Sequence, residues 1–248
     1  MYKRQRLGCA NKLAAQATAS QFVSAGKCHS FPLLYHWCVL PGAIAREQSA
    51  AVQEELERMS SYWRGEQAVA RRLQAIQNST SYVALFIEYI PQNLHQWLSA
   101  QLANGSQSAL AACLRVEQLL KSDLQFMSMN GLFHFDLHLR NILTDGESLY
   151  FADYGLALAT QFHLSDGELA FLKLNTSHDA AYNMTQLHNW MVANLPDAEA
   201  LPLVKHYAPV AALVNDFYRH LRSGNFDFDY PAAKLDFLCA AKGLSHGP

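Results

Sequence analysis

The sequence predicts an α+β fold, with short strands early in the chain and helices dominating after residue 90. Three observations support that class. Two apolar runs, "FPLLYHWCVL" and "YVALFIEYI", read as strands bounded by prolines. Apolar residues recur at three- and four-residue steps over 44–77 and 110–130, the period of an amphipathic helix. Between the helical stretches, "NILTDGESLYF" pairs two short apolar runs around Asp145-Gly146, a strong hairpin signal.

The elements follow in order. "MYKRQ" resembles adapter-derived read-through at the ends of assembled environmental sequences, so residues 1–5 are set aside as a sequencing artefact, with the natural N-terminus expected upstream. Residues 6–26 predict a helix with Leu7, Leu13, Ala17 and Phe22 on one face and Gly26 as its stop. The strand in "SFPLLYHWCVLPG" ends at Pro41-Gly42. Over 44–77, Val52, Leu56, Met59, Trp63, Ala70, Leu73 and Ile76 form one apolar stripe, on one helix or two. That stripe packs on its own domain or binds a partner. Residues 82–90 predict a buried strand, after which Asn93 caps a short helix through Leu94, Trp97, Leu98 and Leu102. A loop over 104–108 precedes the helix at 110–130, whose apolar face carries Val116, Leu119, Leu120, Leu124 and Met127, with Gly131 as its stop. Beyond the hairpin, residues 160–180 read as irregular and polar, 181–193 and 203–222 as helices, and the tail as a last helix.

Composition narrows the function classes. Of 248 residues, 50% are hydrophobic, enough for a sizeable core. The 19 basic and 21 acidic residues leave a formal charge of −2, which argues against a nucleic-acid binder. Five scattered cysteines without a C-x-x-C pair predict free thiols in a reducing compartment. No apolar run reaches the roughly 18 residues of a membrane span. A soluble, cytoplasmic-type protein without membrane association is the expectation.

The stretch that carries chemistry is "HFDLHLRNILTDGESLYFADYG", residues 134–155. Asp136 and Asn141 share one loop, and the hairpin folds the chain back so that Asp153 returns beside it. Asp and Asn offer the hard oxygen donors that Mg²⁺ takes, and Gly155 lets the backbone turn sharply behind Asp153.

These residues resemble the protein-kinase-like superfamily: "HFDLHLRN" is similar to the catalytic loop H-x-D-x-x-x-x-N, and "DYG" to the D-F-G metal motif. The resemblance covers residues 7 to 222 and is most specific at 134–155. It implies a bilobal fold with an incomplete N-lobe over 6–90, carrying a helical insertion at 44–77, a hinge at 88–92, and a mainly helical C-lobe over 91–248. It implies ATP and Mg²⁺ as cofactors. Asp136 would orient the acceptor hydroxyl and take its proton, Asn141 and Asp153 would bind Mg²⁺, and His134 would brace the loop structurally. Glu88 and Ile90 would meet adenine through their backbone, with Ile87 as gatekeeper, and Asp179 would hold the catalytic-loop backbone.

The departures shape the rest. No G-x-G-x-x-G loop or V-A-I-K-type lysine occurs, no A-P-E follows Gly155, and Leu7 to Ala25 contains no carboxylate. The phosphate-positioning half is therefore expected upstream of this chain, and the chain as written is expected to be impaired. His138 stands where Ser/Thr kinases carry a phosphate-contacting lysine, as in small-molecule kinases acting on aminoglycosides or choline. The resemblance thus implies transfer to Ser/Thr hydroxyls of a protein, with a small-molecule acceptor or a pseudokinase scaffold as alternatives. A more distant alternative is a metal phosphohydrolase built on His178-Asp179, for which His188, His206 and His220 show no ligand spacing.

Overall fold

The computed structural model describes residues 2–41, 71, 75, 79–225 and 227–244, with side chains from Asn11 onward in the first helix. The stripe expected over 44–77 lies outside the described residues apart from Arg71 and Ala75. The fold is α+β, and the chain divides into two compact units. The smaller comprises 35–87 and 218–229; the larger comprises 1–34, 88–217 and 230–248. The division is not a single cut near residue 90, because the first helix belongs to the larger unit.

In the smaller unit, β1 (Leu34–Pro41) pairs with β2 (Ser81–Ile87). The buried strand expected at 82–90 ends at Ile87 and is not buried: Phe86 is 53% exposed and Ile87 36%. Among the described residues this sheet has two strands, each with a neighbour on one edge, so apolar composition alone does not bury them.

In the larger unit, α1 (Tyr2–Ser24) ends at Gly26, whose φ of 66° supports the return bonds from Gly26 N–H to Val23 and from Lys27 N–H to Phe22. Its buried face is not the one expected. Ala15, Gln16, Ala19 and Ser20 are buried, whereas Leu13, Ala17 and Phe22 are only partly so. Small residues let the helix approach its neighbours closely, and Phe22 instead caps an aromatic group with Phe31 and Phe126.

Asn93 starts α2 (Leu94–Ala103) through a reciprocal cap with Gln96, at 3.0 and 3.1 Å. Next, α3 (Ser106–Met129) begins inside the expected loop, since Gly105 already supplies the non-helical N-cap. Its buried stripe of Cys113, Val116, Leu120, Leu124 and Met127 packs against α2 and against α5 (His178–Asn194). Gly131 stops α3 at φ 66°, and a Cβ there would lie 2.2 Å from Thr160 Oγ1. That close approach lets β4 (Leu132–Phe133) pair antiparallel with β7 (Leu158–Ala159).

The expected hairpin is β5 (Ile142–Thr144) and β6 (Leu149–Phe151), in register Ile142 to Phe151, with β3 (Gln92–Asn93) on the outer edge of β5. Asp145 closes the turn by accepting the N–H groups of Glu147 and Ser148, each at 2.8 Å.

The irregular stretch expected over 160–180 contains a helix, α4 (Asp166–Leu174), and the first turn of α5. Ser165 and Glu168 form a capping box, a start signal that outweighs the polar composition. A short 3₁₀ turn (Ala198–Ala200), α6 (Pro202–Arg222) and α7 (Ala232–Ala241) complete the described chain. Cys28, Cys38, Cys113 and Cys239 are free, and among the described residues no helix is long and apolar enough to cross a membrane.

Candidate active site

The site is the segment from β4 to the turn after β6, and it begins with how the backbone is held. His134 N–H and Phe135 N–H donate to the two carboxylate oxygens of Asp179, at 2.6 and 2.7 Å. Asp179 sits in the first turn of α5, where the helix N-terminus favours an anion. It is 7% exposed, with His178 Nδ1 at 3.5 Å. Burial works against the charge of Asp179, but the close His178 ring and the His134 N–H hold its carboxyl below the usual range.

His134 is fully buried, and its Nε2 lies 2.9 Å from the Ala152 carbonyl. A carbonyl only accepts, so Nε2 carries the proton. Burial lowers the His134 pKa, which keeps the ring neutral against the pull of Asp179 and the Ala152 carbonyl. The ring therefore ties the loop to the residue before Asp153 and is not placed to shuttle protons. Tyr154 packs on it at 5.0 Å and donates its hydroxyl to the Phe151 carbonyl at 3.0 Å.

Asp136 and Asn141 come together directly. Asn141 Nδ2 donates to the Asp136 carbonyl at 2.9 Å and lies 3.4 Å from Asp136 Oδ2. That bond fixes the amide orientation, leaving Asn141 Oδ1 as the atom presented elsewhere. Buried Asn183 holds the loop's midpoint by donating to the Leu137 carbonyl at 2.8 Å, and His95 N–H reaches the Leu139 carbonyl at 3.2 Å. Ala152 N–H donates to the Asn141 carbonyl at 2.9 Å, which returns Asp153 beside the loop. Burial raises the Asp136 pKa, and the nearby Asp153 charge adds to it.

Phe135 and Asp153 both adopt left-handed backbone, with φ of 61° and 64°. Each such residue costs about 1–3 kcal/mol, and both flank the polar cluster. His138 is half-buried, with a buried Nδ1 that makes no hydrogen bond.

Asp153 has a partner that sequence reasoning missed. Lys12 Nζ of α1 lies 2.6 Å from Asp153 Oδ1, the two side chains being 42% and 55% exposed. Burial opposes the Asp153 charge, but the hydrogen bond and charge of Lys12 draw its carboxyl below the usual range. The signal was present in the sequence: Lys12 precedes Ala15, Gln16 and Ala19 by three, four and seven residues, the spacing of one helix face.

The residues expected to meet adenine are placed as follows. Glu88 N–H donates to the Leu33 carbonyl at 2.8 Å, and one carboxylate oxygen accepts Leu33 N–H at 3.1 Å, so of its backbone groups the carbonyl remains for a ligand. Ile90 follows in the same unit, while Ile87 closes β2 in the smaller one. Asp179 spends both oxygens on backbone N–H groups, which takes from a His178-Asp179 metal pair its carboxylate. Among the described residues, no group of three or more His, Cys, Asp or Glu side chains is arranged to hold a metal. Asp153 and Asn141 offer a different donor set, one carboxylate and one amide oxygen, uniformly hard and without sulfur, and that set fits Mg²⁺ better than zinc.

Comparison with protein-family models finds no match, and a search of curated proteins finds no matching sequence.

Proposed function

We propose that the chain carries the catalytic region of a protein-kinase-like phosphotransferase, bilobal in its complete form, that moves the terminal phosphoryl group of ATP to a hydroxyl. The observation that supports this reading most is the closure of residues 134–153 on themselves. Through Asn141, Ala152 and His134, three polar side chains separated in sequence converge on one loop. Magnesium-ATP, when bound, supplies the electrophilic phosphorus and the cation that neutralises developing charge.

In this reading Asp136 accepts a hydrogen bond from the acceptor hydroxyl and takes its proton as the new P–O bond forms. Its raised pKa makes it a stronger base than an exposed aspartate. Asn141 Oδ1 and Asp153 hold the cation. Asp179 and His134 fix the backbone and take no part in proton transfer, and the Glu88 carbonyl and Ile90 backbone bind adenine. A hydroxyl of a protein Ser or Thr is the acceptor we favour. A small-molecule hydroxyl is the second reading, supported by His138 in place of a phosphate-contacting lysine.

The test is labelled-ATP turnover with a generic protein substrate and, in parallel, aminoglycosides and choline. Transfer to either class that disappears in Asp136→Ala supports the reading, and the class labelled identifies the acceptor. Full turnover in both Asp136→Ala and Asp153→Ala contradicts it.

A further inference from the structure

Lys12 meets Asp153 because of how α1 is packed. The helix is fixed in rotation by fully buried Ala15 and Ala19, by Gln16 donating to the Pro32 carbonyl at 3.0 Å, and by Ser20 Oγ accepting Leu34 N–H at 2.9 Å. Gln161 adds a bond to Thr18 Oγ1 at 2.9 Å. Lys12 lies on the Ala15–Gln16–Ala19 face, so its ammonium is delivered to the site by the helix.

The chemistry of that contact is unusual for a carboxylate assigned to a divalent cation. An ammonium and Mg²⁺ compete for the same oxygen, and here the ammonium already holds Oδ1 at 2.6 Å. The pair is half-open to solvent, so exchange needs no backbone movement. The lysine stem is four methylenes long and flexible, and its three N–H donors suit phosphate oxygens as well as a carboxylate.

We propose that Lys12 is a built-in occupant of the cation position at Asp153, which yields that oxygen when an anionic phosphate arrives to receive the ammonium. Cation entry is thereby coupled to phosphate entry: each ligand binds better once the other is present, by the same factor in both directions. The proposal rests on the phosphotransferase reading and adds to it an ordered exchange of charge.

Two probes test it on the full chain. Manganese(II) alone, followed by the electron-spin signal of the free ion, reads the competition. A fluorescent ADP analogue in EDTA reads the phosphate contact. In Lys12→Met, Mn²⁺ should bind about tenfold tighter than in wild type and the ADP analogue about tenfold more weakly. Lys12→Gln, a second uncharged variant that guards against misfolding, should behave alike, and Lys12→Arg should stay near wild type in both. Asp153→Asn should abolish Mn²⁺ binding. If it does while Lys12→Met and Lys12→Gln bind Mn²⁺ no tighter than wild type, the proposal falls and the phosphotransferase reading stands. Mn²⁺ binding that survives Asp153→Asn overturns both.

Discussion

On its buried side, the 134–153 segment is held by Asp179, with both carboxylate oxygens on backbone N–H groups, and by neutral His134 and Asn183 on backbone carbonyls. On its open side, Asp153 is held by one ammonium with solvent around both partners. The buried contacts are shielded from most of the solvent, since His134 and Asn183 are fully buried and Asp179 nearly so. They set geometry. The open contact can change partners, and that is where a site that must bind and release ligands needs its freedom.

Breaking the buried side should cost the most. Asp179→Ala removes a buried, hydrogen-bonded charge and strands two backbone N–H groups, a loss of about 3–5 kcal/mol of stability, read by chemical denaturation. Acid sharpens the point. A carboxyl held low in the fold stabilises above its ordinary pKa of about 3.9 and loses that contribution as pH falls through the lower folded value. Asp179→Asn should therefore flatten the loss of stability below about pH 4, and an unchanged acid limb would remove Asp179 from the account.

Asp136→Asn probes the proposed reacting centre directly. It should lower kcat about a thousandfold, or ~4 kcal/mol, with little change in melting temperature. Asn183→Ala leaves the Leu137 carbonyl without its donor and should cost about 1–3 kcal/mol, measured as stability, with activity falling in proportion to folded protein. Ser165→Ala breaks the α4 cap, where Ser165 bonds Glu168 rather than a residue of the site, and should cost about 1 kcal/mol without changing KM or kcat. A large kinetic effect there would mean that α4 takes part in the site.

The contrast also tracks what the sequence revealed. The hairpin was legible because Asp145-Gly146 and alternating apolar residues act over a few positions, and the Asp136, Asn141 and Asp153 grouping followed from it. The α3 stripe was legible for the same reason. The helix at Ser165 was passed over because its polar composition masked a capping box. The buried face of α1 was misphased because small residues, not large apolar ones, make its contact. Lys12 was hidden by that misphasing: with the wrong face assigned inward, its charge belonged to solvent. The exposure of β2 depends on what lies across the sheet, which no local pattern encodes.

The most direct measurement separates ligand holding from proton transfer. Mn²⁺-ATP bound to the protein should broaden the nucleotide phosphorus resonances in the wild type and equally in Asp136→Asn, while only Asp136→Asn loses turnover. Asn141→Ala and Asp153→Ala should lose the broadening itself. Broadening that persists unchanged in Asn141→Ala and Asp153→Ala would contradict the assignment of this loop as the phosphoryl-transfer site.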